Sequence, residues 1–343
     1  MSGYNGLVAN ASSAPGEISP RALRIAVVMP VRDDWVAAAA LIRQIDETIS
    51  KDHRGTALDV VLVDDCSLKI CDPAEFQFPF HAVQQIRIVR LRRNLGHQRA
   101  IAIGLAHVRE TAVCDAVIVM DADGEDTAEG MLRLIDEYAR LGATQAVLAE
   151  RSRRAESRMF RLFYKLYKIL HVALTGIRVK VGNFSMIPWD YLDTLAVMPE
   201  TWNHYAAAVF RSKLPFTTTP ISRGHRIAGE SRMSFVSLVA HGLSAISVFA
   251  DVVGVRLLIV SLTGCVLAGV GIALVAGIRL FTSLAIPGWA TYAAGALAII
   301  LIQCFTIAAS FTFFMLSSRT NMGFVPLRDH ALFISTVSEI YRK

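Results

Sequence analysis

The residues best suited to chemistry lie in Val117–Glu125, VIVMDADGE, where an apolar run stops abruptly at Asp121, Ala122 and Asp123. Consecutive β-branched and long apolar side chains read as a buried parallel strand. The two carboxylates, two residues apart, then sit at its C-terminal tip, where open α/β sheets bind ligands. Paired oxygens in that position suit a hard divalent cation that also touches phosphate. An Asp-x-Asp by itself also fits a solvated turn, so its meaning depends on its neighbours. Two other apolar runs end in the same polar way, Arg24–Pro30 before Val31-Arg32-Asp33-Asp34 and Leu58–Val63 before Asp64-Asp65-Cys66-Ser67. A third, Ile86–Leu91, is followed by Asn94-Leu95-Gly96-His97-Gln98-Arg99.

The elements that must carry these residues alternate. Strands are predicted at 24–30, 58–63, 86–91, 116–120 and 146–149, with helices at 34–50, 99–109 and 129–141 between them. That order predicts an α/β domain with a mostly parallel sheet in three layers, placed here at 23–232 after a polar segment, 1–22, expected to be disordered. Helix 158–174 sets Arg158, Arg161, Lys165 and Lys168 against Met159, Phe160, Leu162, Phe163, Leu166, Ile169 and Leu170. Such a helix fits the headgroup plane of a membrane, or a surface helix packed on the sheet.

The remaining chain is apolar. Leu257–Ile278 is a run of 22 residues without a charge, and Leu280–Ser318 again has none. Each exceeds the roughly 20 residues a helix needs to cross a bilayer, and Pro287-Gly288 turns the chain between them. Two transmembrane helices are therefore expected within 255–318, preceded by a juxtamembrane helix at 233–254 and followed by a tail at 319–343. Arg279 is the lone charge of the connecting loop, while basic residues crowd both flanks, so both termini and the α/β domain are expected in the cytoplasm. Gly264, Gly269 and Gly271 permit close helix packing, which allows a homo-oligomer. The net charge of +6 comes without zinc spacing or aromatic-interleaved basic motifs. It fits a membrane-surface protein better than a nucleic-acid partner. Five cysteines without metal-like spacing fit a reduced compartment.

The three strand-end blocks, in this order and spacing over about 130 residues, resemble the inverting family 2 glycosyltransferases of the GT-A fold. The resemblance implies that Asp65 accepts hydrogen bonds from a nucleotide base. It implies that Pro30, Arg32, Asp34 and Val63 line the nucleotide pocket. Asp121 and Asp123 would hold Mg2+ or Mn2+ against the diphosphate of a nucleotide-sugar donor, with Glu125 facing the metal or donor. Most relatives carry an aromatic residue and a Glu where Arg32 and Asp34 stand. The resemblance implies that the Asn94-x-Gly96 block supports the donor pocket, while His97 reads as a helix-start residue rather than a base.

Two spans after such a domain, with an amphipathic helix near residue 160, resemble the polyprenyl-phosphate glycosyltransferases. This implies a lipid-phosphate acceptor at the membrane surface. Arg226 and Arg232, in His225–Ser234, would bind phosphate oxygens, and Arg151 would stand near the acceptor phosphate; juxtamembrane anchoring is the other reading of the loop arginines. Relatives carry Gly-Asp-Phe where this chain has Gly182-Asn183-Phe184. Asn cannot take a proton at neutral pH, so Asn183 is expected to orient the acceptor. Asp123, Asn183 and Arg226 are the expected catalytic residues. A polymerising synthase of this fold usually adds a Gln-x-x-Arg-Trp block, which this chain lacks; a silent scaffold that keeps the fold is the rival from another class.

Overall fold

Strand β1 (Arg24–Val31) is apolar at every position after Arg24, and the computed structural model gives the reason: it lies in the middle of the sheet with both faces covered. The structure describes residues 22–52, 55–151, 158–177, 181–228, 235–282, 288–320 and 323–343; the segment expected to be disordered lies outside them but for Ala22. Ile25, Val27 and Met29 point to one core and Ala26 and Val28 to the other. The first core is closed by α1 (Trp35–Asp52) and α3 (Ala128–Arg140), the second by α2 (His97–Thr111), α5 (Tyr191–Val197) and α7 (Tyr205–Ser212). A strand buried on both faces has no solvent side on which to alternate polar residues.

Among the described residues the sheet has eight strands. With β2 (Ala57–Asp64), β3 (Val83–Leu91), β4 (Ala116–Val119), β5 (Ala146–Arg151), β6 (Val181–Pro188), β7 (Phe216–Ile221) and β8 (Ile334–Arg342), the order is β7-β5-β6-β4-β1-β2-β3-β8. The five expected strands and three expected helices are present with ends shifted by a few residues. Four of the seven pairings are parallel: β1 with β2 and β4, β2 with β3, and β5 with β7. β6 runs antiparallel to β4 and β5, and β8 antiparallel to β3. The parallel half brings the C-terminal tips of β1, β2 and β4 to one edge. The reversed β6 starts at that same edge, since Val119 pairs with Ser185.

The segment 319–343, read from sequence as a tail, is corrected here: its last nine-residue strand, β8, completes the main sheet. The α/β unit is thus discontinuous, interrupted by the apolar helices and resumed after them. The juxtamembrane helix is α8 (Phe235–Ser247), and the first apolar helix, α9 (Ala250–Phe281), begins earlier than expected. With α10 (Trp289–Thr320) it forms a hairpin of two helices long and apolar enough to cross a membrane, with side chains mostly exposed. Within it, a Cβ on Gly264 would lie 2.7 Å from Cys304 Sγ and one on Gly271 3.0 Å from Leu297. These two glycines serve the contact between α9 and α10 of one chain.

The first turns of α9 are tied to the domain. Arg211 of α7 donates to Glu200 and, through both terminal nitrogens, to Asp251 at 2.9 and 3.2 Å. Arg256 donates to the carbonyls of Val172 and Ala173 at the end of α4 (Arg158–Thr175), at 3.4 and 2.8 Å. Of the expected cationic stripe on α4, Lys168 is exposed beside exposed Ile169 and Leu170, while the side chains of Arg158, Arg161 and Lys165 lie outside the description.

Gly104 sets how closely α2 approaches the sheet. A Cβ there would stand 2.6 Å from Val28 Cγ1 and 2.7 Å from Val63 Cγ2, on the two strands that lead to the site. Gly104→Ala is expected to push α2 outward and to cost about 1–3 kcal/mol, the usual range for overpacking. A thermal melt that matches the parent protein would contradict this packing.

Candidate active site

The loop after β4 concentrates negative charge: Asp121, Asp123, Glu125 and Asp126 fall within six residues. Its backbone is folded by its own carboxylates. Asp126, buried, accepts from Asp121 N at 2.9 Å, and Asp123 Oδ1 accepts from Glu125 N at 2.9 Å. Thr127 then caps α3 by accepting from Gly130 N at 3.0 Å. Gly124 has φ +88°, the left-handed region that favours glycine.

Among the described residues two arginines and a histidine meet these carboxylates. Arg226 Nη2 donates to Asp123 Oδ2 at 2.7 Å, Arg223 pairs with Glu125, and His97 Nε2 lies 3.1 Å from Asp121 Oδ1. The two arginines ride on a strap, residues 222–228, that is stitched to the loop by Gly224 N to Glu125 O and Ile227 N to Asp123 O, each 2.9 Å. Gly224 permits this approach, because a Cβ there would meet Thr127 Cγ2 at 2.5 Å and Gly124 O at 2.6 Å.

On the other side of the loop a chain of amides fixes Asn183. Tyr205 N, at the start of α7, donates to Gln98 Oε1 at 2.7 Å, which turns Gln98 Nε2 toward Asn183 Oδ1 at 3.2 Å. Asn183 Nδ2 in turn faces His97 Nε2 at 3.0 Å. A backbone N–H can only donate, so the orientation of both amides follows from Tyr205. Ser185 Oγ closes the network, donating to Asn183 O at 2.9 Å and meeting the Tyr205 hydroxyl at 2.7 Å.

The tips of β1 and β2 form the third wall. Pro30 and Val63 pair within the sheet, and Val63 is buried. Arg32 is exposed and Asp34 half-buried just before α1. Asp65, buried, accepts from Leu95 N at 2.6 Å and Gly96 N at 2.9 Å. Burial raises its carboxyl above the ordinary aspartate value, against the lowering effect of the two amide bonds. Gly96, with φ +91°, makes the turn that presents both amides. Asp33 and Asp64 fold the following loop: Asp33 accepts from Leu68 N and Lys69 N, and Asp64 from Ser67 N.

Of the residues expected from sequence, Asp121, Asp123, Glu125, Asn183 and Arg226 are thus gathered around one loop, with Pro30, Arg32, Asp34, Val63 and Asp65 on the adjoining tips. Arg151 ends β5 with its side chain outside the description, and Arg232 lies outside the described residues. Among the described residues no three His, Cys, Asp or Glu side chains converge as a metal cage. Asp121 and Asp123 are the hard-oxygen pair at the strand tip, with Arg226 on Asp123 and Arg223 on neighbouring Glu125. That set fits a divalent cation of the kind bound by one or two carboxylates and completed by substrate phosphates. Arg223, Gln98, Asp126 and Tyr205 were not foreseen; the Arg-Gly-x-Arg spacing of 223–226 was the available signal for the first.

Residues 26–195 match the family model described as Glycosyl transferase family 2. The uncharacterized glycosyltransferase YkcC of Bacillus subtilis (strain 168) is 24% identical over 217 residues, covering 60% of this chain and 63% of the relative. An undecaprenyl-phosphate 4-deoxy-4-formamido-L-arabinose transferase of Salmonella paratyphi B is 26% identical over 222 residues, covering 63% of this chain and 64% of the relative. The match therefore spans just under two thirds of the length of each. Among solved structures, glucosyl-3-phosphoglycerate synthase from Mycobacterium tuberculosis, in complex with Mn2+, UDP and glucosyl-3-phosphoglycerate, is 16% identical with a TM-score of 0.45, over 68% of this chain and 80% of that one.

His204 caps α7, the helix that orients the amide chain, by accepting from Ala207 N, and its Nε2 meets His241 Nε2 of α8 at 3.2 Å. Burial, then the neighbouring His241, push its pKa down to about 3. The unfolded chain takes up this proton near pH 6.5, so stability is full above that value and is lost as the pH falls toward 3. The loss is expected to grow steadily as the pH falls through that window. His204→Asn, an acceptor that does not titrate, is expected to flatten this part of the profile of Tm against pH. An unchanged slope between pH 6.5 and 4 would contradict it.

Proposed function

We propose that this chain, which carries a family 2 glycosyltransferase domain, moves a hexose from a nucleotide sugar to polyprenyl phosphate at the cytoplasmic face of a membrane. The observation that carries the reading is the join between two features. The carboxylate loop after β4 is stitched to the strap 222–228, and the chain continues from that strap toward α8 and the apolar hairpin. A site shaped for anionic phosphate chemistry is thereby a few residues from the elements suited to lipid.

In this reading Asp121 and Asp123 hold Mg2+ or Mn2+, with Glu125 beside them. When bound, the cation supplies Lewis-acid stabilisation of the departing nucleoside diphosphate. The chain's own residues do the rest. Pro30, Arg32, Asp34 and Val63 shape the nucleotide pocket. Asp65 faces the base while its carboxylate keeps Leu95 and Gly96 in place. Arg226 and Arg232 serve as ligands for phosphate oxygens, and Arg151 as a ligand for the acceptor phosphate. Asn183, held by Gln98 and Tyr205, orients the acceptor phosphate, whose oxygen is already ionised near neutral pH and attacks the anomeric carbon in line. The diphosphate leaves from the opposite face and the configuration inverts.

The membrane part of the proposal has its own support. α9 and α10 cross the bilayer as a hairpin, and exposed Ile169 and Leu170 of α4 with Val239 and Leu243 of α8 lie at its surface. The pairing of β8, which follows the hairpin, with β3 supports a topology in which the domain and both ends of the hairpin share one side, and the basic flanks favour the cytoplasm. The relative's name includes an undecaprenyl-phosphate acceptor, which agrees with a lipid phosphate here.

Membranes containing the protein, incubated with radiolabelled UDP- and GDP-sugars, polyprenyl phosphate and Mg2+ or Mn2+, are expected to yield label in the organic phase. EDTA should abolish it, and Asp123→Ala should lower it by on the order of 10²–10³-fold, as losing one preorganised electrostatic group does. Full turnover by Asp123→Ala would overturn the site assignment. Folded protein that labels no lipid with any donor would favour another acceptor or a silent scaffold.

A further inference from the structure

The second carboxylate of the loop already has a cation. Arg226 bonds Asp123 Oδ2 at 2.7 Å, with the side chains 25% and 13% exposed, so water screens the pair only in part. The backbone beneath Arg226 is fixed. Two hydrogen bonds bind the strap to the loop, one on each side of it in sequence. A Cβ on Gly124 would lie 2.5 Å from Ile227 Cγ1, so the two segments are in close contact between those bonds. The strap cannot withdraw without losing both bonds, whereas the long Arg226 side chain can rotate above it.

A guanidinium and a divalent cation on the same carboxylate repel each other strongly at such range in a half-buried site. Bare cation must therefore displace Arg226 from Asp123, at the cost of that partly buried ion pair. A diphosphate alters the balance, because phosphate oxygens offer the planar guanidinium a two-pronged acceptor.

Resting on the reading of the site as one for a nucleoside diphosphate and a divalent cation, we propose that Arg226 is an internal competitor for that cation. It occupies Asp123 while the diphosphate is absent and holds bare cations off. It swings to the diphosphate when cation and nucleotide arrive together, while the strap stays in place. The site therefore selects the cation–nucleotide complex over the free cation, and Arg226 couples the two bindings through one side chain.

The test reads binding rather than turnover. Free Mn2+ is followed by electron paramagnetic resonance as the full-length protein is titrated with Mn2+ alone, with Mn2+ and UDP, and with Mn2+ and GDP. The parent protein should bind Mn2+ alone weakly and one of the nucleotide complexes more tightly. Arg226→Gln should bind Mn2+ alone more tightly, on the order of tenfold, the worth of one charged hydrogen bond. The same variant should bind the Mn2+–nucleotide complex more weakly, so that the two affinities move in opposite directions. Arg99→Gln, which removes a charge stacked 5.2 Å from the Trp202 ring at the start of α2, should leave the Mn2+-alone affinity unchanged.

If Arg226→Gln leaves or lowers the affinity for Mn2+ alone while the parent still binds a nucleotide complex, the competition is refuted and the site reading survives. A rise in both affinities, or an equal rise in Arg99→Gln, reduces Arg226 to a background charge and likewise refutes it. If the folded parent binds neither Mn2+–UDP nor Mn2+–GDP, the site reading fails and the proposal with it. Thermal melts of each variant establish that the compared proteins are folded.

Discussion

Four carboxylates in six residues, at the tip of a buried strand, are the constraint around which the rest of the site is arranged. Such charges are costly to bring out of water unless each finds a positive or hydrogen-bonding partner. One of them, Asp126, is spent on the backbone of its own loop. The others draw in Arg223 and Arg226 from about 100 residues away and His97 from the start of α2. Much of the local architecture follows from that demand. The strap must lie flat on the loop to deliver its arginines, which is why Gly124 and Gly224 stand where any side chain would collide. The sheet must reverse at β6, so that Asn183 reaches the same edge and meets His97.

The sequence was most informative where a local pattern coincides with a buried environment. β4 is wholly apolar and β1 and β2 are so but for Arg24, Asp59 and Asp64, because they are covered on both faces, and their polar ends mark the edge of the candidate site. The elements that escaped reading have no such coincidence. β7, FTTTPI, carries threonines and a proline and is only half-buried, as suits a strand at the rim of the sheet. β8 is mostly exposed and pairs with a strand about 250 residues earlier, so no local pattern announces its partner. The ion pairs of the loop are silent for the same reason: nothing in the residues around Glu125 names Arg223. Asp65 shows the limit of reasoning by resemblance, since a residue expected at the nucleotide base is also the staple that holds Leu95 and Gly96.

The domain is fastened to its apolar hairpin by charge as well as by apolar contact. Arg211 bridges Glu200 and Asp251, linking α6 (Glu200–Asn203) and α7 to the first turn of α9. Arg256, one helical turn further along, caps the carbonyl end of α4, where the helix dipole favours a cation. These contacts account for the length of α9: at 32 residues it exceeds what a bilayer requires, and the surplus at its start is the docking segment. With Trp202, Phe324 and Phe333 stacked nearby, at centroid distances of 3.7–5.4 Å, the segment after the hairpin is fastened as firmly as the one before it.

The position of β8 has a consequence for how the protein is made. On a ribosome, β3 is synthesised early and its outer edge then waits, with unpaired backbone groups, through both apolar helices. In the proposed membrane topology its partner strand emerges only after the hairpin has been handed to the lipid. An open sheet edge is a template for pairing with other chains, so the interval is one of exposure to aggregation. In that topology insertion of the hairpin precedes completion of the sheet. A chain whose hairpin stalls in water would carry an unfinished edge, giving quality control a ready means of telling a failed insertion from a successful one.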